Sequence, residues 1–321
     1  MGFITKYGSF WGMLPQTQGR IFWVSPAADY TVEGRSYSAS NDADGLSPEK
    51  AFRTVDYAVG QCTANAGDVI VLLTGAHSVS ATIAVDVAGI TITGIPSGVP
   101  ASQARSSGGG TLNRTTITTT ETSGIIFTVT VADVEIAYLH LIPIAAGAGI
   151  SISNAGDRAY VHDCTFRIGA VDSTAQFGVN FPLGTGTTTV NDDSVIRNCY
   201  FLATANVGPA VRAVGTVLGL TIENSTFDLR SSTAWDDAIE LTLEGNRDVL
   251  IRDCDFLTQS GATVITDCIE VTGMTTDKTV NVFRCYFPEG SDAIEASGTL
   301  DVACAENYLA TSTGGALTGS I

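Results

Sequence analysis

Residues 249–256 read VLIRDCDF, and the same eight-residue phrase recurs with small changes: AYVHDCTF at 159–166, SVIRNCYF at 194–201, LTIENSTF at 220–227 and VNVFRCYF at 280–287. Looser copies flank these, IAYLHL from Ile136 and CAENYL from Cys304. Aligned on the first apolar residue of each core, Ile136, Val161, Ile196, Ile222, Ile251, Val282 and Cys304 follow one another at intervals of 22 to 35 residues. A period of that size, with inserts of variable length, marks a solenoid. The units are rich in Val, Ile, Thr and Phe, alternate with period two, and are broken by Gly, Asn and Asp. The repeated element is therefore a strand.

Stacking such units in register turns each position of the phrase into a column, with like residues about 4.8 Å apart. The first apolar residue, the Cys and the Phe face inward. Between them sits Asp163, Asn198, Asn224 or Asp253, residue types that tolerate the left-handed backbone of a sharp bend. One column then reads Cys164, Cys199, Ser225, Cys254, Cys285, and beside it Phe166, Phe201, Phe227, Phe256 and Phe287 form an aromatic stack. The seven cysteines include no CxxC pair, and none of the three histidines (His77, His140, His162) lies at metal-ligand spacing. The expectation is packing cysteines in a reducing compartment, with no disulfide frame, no zinc site and no cofactor.

A second column precedes the phrase: AGISI (148–152), FGVNF (177–181), PAVRA (209–213), DAIEL (237–241), DCIEV (267–271) and DAIEA (292–296). Its middle residue points inward, so the next one points to solvent, giving Ser151, Asn180, Arg212, Glu240, Glu270 and Glu295 up the stack. Asp237, Asp267 and Asp292 stand three residues before the last three. Carboxylates about 5 Å apart match a retaining glycosidase pair, so Glu240, Glu270 and Arg212 are the catalytic candidates. Asp237, Glu240, Asp267 and Glu270 could also hold Ca²⁺. Any solenoid with acidic residues in a repeated outward slot makes this spacing automatically, however, and the column is regular where a catalytic site would break the repeat. A solvated acidic ridge is the leading expectation; cation binding and catalysis stay open. A neighbouring outward slot reads His162, Arg197, Glu223, Arg252, whose alternating signs suggest cross-coil ion pairs that set register.

Only 15% of the 321 residues are charged, yet the formal net charge is −17. Nucleic acid and anionic membranes are excluded as partners on that ground. The longest apolar run, LIPIAAGAGISI (141–152), suits a buried core better than a bilayer span. No apolar stretch of a secretory signal opens the chain. The first 24 residues hold Phe3, Tyr7, Phe10, Trp11, Phe22 and Trp23 among glycines, which suits an anchor docking on another protein or folding back on its own solenoid. Ser47 and Pro48 open a helix with Ala51, Phe52, Val55, Ala58 and Val59 on one face, a plug for the open end of the solenoid. ASQARSSGGG (101–110) reads as a surface insert.

With these residues in place the chain resembles the pectate-lyase-like right-handed parallel β-helices. The bend-slot Asn/Asp column, over 159–256, is similar to that family's asparagine ladder, and DADGLSPEKAFRTVDYAV (42–59) resembles its usual start. The resemblance implies an all-β right-handed parallel β-helix of about nine or ten coils, with a capping α-helix and an N-terminal extended arm. The expected division is an arm over 1–46, the helix over 47–62, the β-helix over 63–310 and a tail over 311–321. Such solenoids serve as polysaccharide lyases, glycosidases, tailspikes and inert virion parts. An aromatic arm plus an acidic rod without a convincing active site resembles a bacteriophage virion protein. The resemblance implies a homotrimer located in the virion, docking on the major capsid protein or another virion protein. The chain passes from the last coil into TSTGGALTGSI (311–321) without a distal receptor-binding domain, which favours capsid decoration or cement over a tail fibre. The alternative is a tailspike-like protein that binds or depolymerises a host glycan with the acidic face 237–295.

Overall fold

The structure is a computed structural model that describes residues 19–96, 115–120, 124–144, 146–153, 155–169, 176–182, 191–205, 207–214, 217–230, 235–242, 248–258, 265–274, 279–298, 301–309 and 315–317. Three parallel sheets run the length of the molecule, and successive strands of the chain visit them in turn. The first has ten strands, from Ile21–Val24 through Val69–Leu72 to Asp301–Ala305. The second has nine parallel strands, from Gly75–Val79 to Asn307–Leu309, and a tenth, Gly315–Leu317, added antiparallel at its end. The third has eight, from Ile83–Val85 to Glu295–Gly298. One strand per sheet per coil makes a parallel β-helix, with the right-handed crossover that parallel strands adopt.

The phrase that opens the repeat supplies the corner between the first and second sheets. Ile136, Val161, Ile196, Ile222, Ile251, Val282 and Cys304 are successive register partners, as the spacing requires. At the bend, Asp163, Asn198, Asn224 and Asp253 have φ of 50°, 52°, 50° and 54°. Tyr138, Arg284 and Glu306 take the same conformation in other coils. The bend is therefore a property of the coil, which Asn and Asp adopt most cheaply and other residues accept at some strain. Its ladder runs through the main chain: the N–H of Asp163, Asn198, Asn224 and Asp253 each donates to a carbonyl of the next coil at 3.0–3.1 Å.

Past the bend, the small side chain lies in the interior. Cys164, Cys199, Ser225, Cys254 and Cys285 are at most 1% exposed. Each of the four thiols donates back to the carbonyl of the coil before it, at 3.6–3.9 Å, to Ile136, Val161, Ile222 and Ile251. In the last coil Asn307 takes this slot, its Oδ1 accepting from the Cys285 N–H at 2.9 Å and its Nδ2 donating to the Val282 carbonyl at 3.0 Å. All seven cysteines are free. The five phenylalanines stack with centroids 4.7–5.1 Å apart and planes within 15°. Buried apolar side chains from Phe22 to Phe287 form one continuous core.

The N-terminal end departs from the sequence expectation. The helix placed over 47–62 is a single 3₁₀ turn, Pro48–Lys50, followed by extended residues and a shorter helix, Val55–Gln61. Thr54 caps that helix, its Oγ1 accepting from the Tyr57 N–H, and Ser47 makes no side-chain cap. The reason is that Phe52 bridges to Val24, with its N–H on the Trp23 carbonyl at 2.8 Å, and this contact holds the chain extended. The expected apolar set Ala51, Phe52, Val55, Ala58 and Val59 is all buried, delivered by two elements instead of one helix.

Phe22 and Trp23 are not anchors. They lie in the strand Ile21–Val24, paired with Val69–Leu72, and are 3% and 2% exposed, so the first coil begins inside the stretch assigned to the arm. Asp29–Val32 and Arg35–Ser38 form a hairpin beside it. Phe3, Tyr7, Phe10, Trp11 and the 101–110 insert lie outside the described residues.

Candidate functional site

The acidic face belongs to the third sheet. Ser151, Asn180, Arg212, Glu240, Glu270 and Glu295 are consecutive register partners, one per coil. Asp237, Asp267 and Asp292 form a second row. Residues three apart on an alternating strand would face opposite sides. Here Ala238 and Ile239 are both buried, as are Cys268 and Ile269, and this break in alternation leaves the Asp and the Glu of each coil on the outer face. The structure thus brings the three catalytic candidates Arg212, Glu240 and Glu270 together, along with the cation candidates.

Crowding sets their protonation. Burial pushes the Asp237 carboxyl up to about 8, helped by the charges of Glu270, Asp267, Glu240 and Asp236. Burial raises Asp267 to about 6, with Glu295, Asp292 and Glu270 adding to it. Glu270 is also raised, by burial first and then by Glu240 and Glu295. Glu240 differs because Arg212 Nε donates to its Oε2 at 2.9 Å. The same guanidinium sits 5.0 Å from the centre of the Phe177 ring, so this cation is held from both sides. The face therefore sets one strongly raised carboxyl, Asp237, among other carboxyls, a crowding in which an acid and a carboxylate can be paired for glycoside chemistry.

Trp235, at the start of the strand that carries Asp237 and Glu240, is fully buried, and its Nε1 donates to the Gly208 carbonyl at 3.1 Å. Among the described residues no group of three or more His, Cys, Asp or Glu is arranged to hold a metal ion. A cavity of about 460 Å³, lined by Ser25, Arg53, Thr54, Asp56 and His77 among others, lies at the N-terminal cap and includes none of these residues.

The alternating column on the first sheet is in register as expected, His162 beside Arg197, then Glu223, then Arg252. Glu223 is 7% exposed and takes both arginines, Arg197 at 3.3 Å and Arg252 Nε at 2.7 Å. Glu223 is buried while both arginines stay nearly half exposed, so the arginines compensate a carboxylate that would be costly to leave unpaired. Sequence reasoning missed His162's own partners. They are Asp163 beside it and Glu135 of the preceding coil, with Tyr138 and Tyr160 against the ring. The signal was available: aligning IAYLHL on AYVHDCTF sets Glu135 under Tyr160, within reach of the imidazole.

The architecture defines the class. No family model matches the chain, and no curated protein matches it. Among solved structures it is similar to a rhamnogalacturonan lyase, with 13% identity over 94% of this chain and 80% of that one, TM-score 0.57. It is also similar to the pectin methylesterase of Aspergillus niger, with 13% identity over 96% and 92%, TM-score 0.55. Identity at this level shows a shared fold, and the protein is a parallel β-helix. A protein of Geobacillus virus E2, ORF18, aligns at 14% identity over 79% of this chain and 56% of its own, TM-score 0.42. That likeness is too slight to carry weight.

Proposed function

We propose that the protein is a non-enzymatic structural component of a bacteriophage virion, a capsid decoration or cement protein that docks through its N-terminal segment and projects a rigid β-helix. The observation that carries this reading is the register of the outward row on the third sheet, which holds through Glu270 and Glu295 although the same strand pair slips between Val271 and Met274. Six coils each place one residue in the Ser151–Glu295 row, and none is replaced by an out-of-register group around which chemistry could be built. Arg212, the cation of that row, is held by Glu240 and Phe177. A face of this sign repels the polyuronate chains that an acidic-sugar lyase must hold. Phe3, Tyr7, Phe10 and Trp11 remain as the docking residues, on a major capsid protein or another virion protein, and a homotrimer is the proposed assembly.

Copy number tests it. Quantitative mass spectrometry of purified particles should count the protein in proportion to the major capsid protein. Its absence from particles sinks the reading, and a count matching a tail component moves it to a tail fibre. A second reading, a tailspike-like protein that binds or cleaves a host glycan, is favoured by the protonated Asp237 beside Glu240 and Glu270. In an assay against host polysaccharide the structural reading expects no cleavage. Turnover that Glu270→Gln abolishes would establish the enzyme instead.

A further inference from the structure

We infer that Glu135, His162 and Asp163 form a proton-operated clamp across neighbouring coils, closed while the His162 ring carries two protons. This goes beyond the virion reading and does not depend on it.

The geometry decides the protonation state. Nδ1 of His162 lies 2.9 Å from Asp163 Oδ2, and Nε2 lies 2.8 Å from Glu135 Oε1. Carboxylate oxygens accept hydrogen bonds and cannot donate them. A neutral imidazole has one N–H and one lone pair, so one of the two contacts would set lone pair against lone pair. With the carboxyls ionised both are satisfied only by the imidazolium, and Glu135 stays below the usual carboxylate range because, although burial opposes it, hydrogen bonds from His162 and Thr91 favour the charged form. Tyr160 stacks on the ring at 4.2 Å and 24°, and Tyr138 meets it edge-on at 5.6 Å and 81°. The stacked tyrosine presents its electron-rich face to the cation.

The clamp crosses three coils. Thr91 donates to Glu135 Oε2 at 2.9 Å from the coil before, so Thr91, Glu135 and His162 are tied in sequence. Of the charged and titratable groups that face the ring among the described residues, Glu135 and Tyr138 come from the preceding coil, Tyr160 and Asp163 from its own, and Arg197 from the next, in register with His162. Arg197 opposes the charge, and it is held by Tyr160 and by Glu223 at 3.3 Å. Burial also opposes it, the residue being 8% exposed. The two carboxylates outweigh burial, and the ring is held above its ordinary value. Tyr138 is a bulky residue at φ 55°, a conformation most coils give to Asp or Asn, and it packs its ring on His162. Strain of this kind persists only where surrounding contacts hold it.

The sign follows. A histidine raised in the folded state contributes its full stability below its unfolded pKa of about 6.5 and loses it as pH rises through the folded value. On deprotonation one of the two carboxylate contacts turns repulsive, and the segment from Glu135 to Asp163 loosens while coils without a histidine are unaffected.

Nuclear magnetic resonance of the full chain reads this directly. The chain has three histidines, and burial holds His77 and His140 down at about 4. A single imidazole should then titrate at neutral or alkaline pH, with a midpoint above about 6.5 and both nitrogens protonated below it. Glu135→Gln should lower that midpoint by about one unit, a tenfold weaker proton affinity, while Glu240→Gln on the third sheet leaves it in place. Amide exchange at 135–137 and 160–163, corrected for intrinsic rates, should speed up by as much as about tenfold per pH unit between about 6.5 and the midpoint and level off above it. A wild-type midpoint at or below about 6.5, or one that Glu135→Gln does not move, overturns the clamp. The wild-type titration decides even if a variant fails to fold.

Discussion

Replacing Asp237 by asparagine removes one charge from the acidic rows while keeping the shape of the protonated carboxyl. Asp237 rises from its ordinary 3.8 to about 8 in the fold. Four units at about 1.36 kcal/mol each set a ceiling of about 5–6 kcal/mol. The side chain is half open to water, and screening cuts this to about 2 kcal/mol. Coulomb's law agrees: carboxylates about 5 Å apart repel by about 1–3 kcal/mol at effective dielectrics between that of a protein surface and that of water. The sign is fixed by linkage. The folded wild type holds its proton more tightly than the unfolded chain, so its stability falls as pH rises from about 4 to about 8. The uncharged amide carries no such penalty. The Asp237→Asn variant should match wild type near pH 4, gain as the pH rises, and stand about 2 kcal/mol more stable by pH 9. Urea unfolding at pH 4, 6 and 9 measures this without adding salt, first with chelator and then with calcium. A variant less stable than wild type at pH 9, or equally favoured at pH 4 and 9, refutes mutual repulsion along the rows. An advantage in chelator that reverses in calcium would show that the rows hold a cation.

Other consequences follow from the columns. Phe227 has rings on both sides, at 5.0 and 4.8 Å, while Phe287 has one, at 5.1 Å. Phe227→Ala should cost about 3–5 kcal/mol in urea unfolding, and Phe287→Ala less by about one ring pair, roughly 0.5–1.5 kcal/mol; equal losses would mean that stacking adds nothing to burial. The thiols of Cys164, Cys199 and Cys254 are fully buried, and burial raises each well above its ordinary range. A thiol reagent at pH 8 should leave them unlabelled in the native state and reach the half-buried Cys304 first. Rapid native labelling of Cys199 would contradict the packing role of the column.

The one-dimensional repeat explains how much was legible from sequence alone. In a solenoid each coil repeats one backbone environment, so a residue type recurring at one place in the phrase reports its surroundings directly. That is why the Phe stack, the cysteine column, the positive-φ bend and the Ser151–Glu295 row were all readable before any coordinates. Where the chain stops repeating, sequence lost its grip. Trp23 and Phe22 read as an aromatic arm because nothing in 1–46 repeats, and only the pairing of Ile21–Val24 with Val69–Leu72 shows them buried, Phe22 in the core and Trp23 in a small cluster on the other face of the sheet. Ser47 has the better capping sequence, yet Thr54 caps, because a long-range bridge from Phe52 to Val24 decides where the helix can begin. The sequence by itself determined the coil and the order of residues along each face. Only the tertiary structure decided which neighbours share a proton or a charge. Those choices, Asp237 among carboxylates of adjacent coils and His162 between Glu135 and Asp163, depend on distances between side chains that lie tens of residues apart in the chain or turn off the column they belong to.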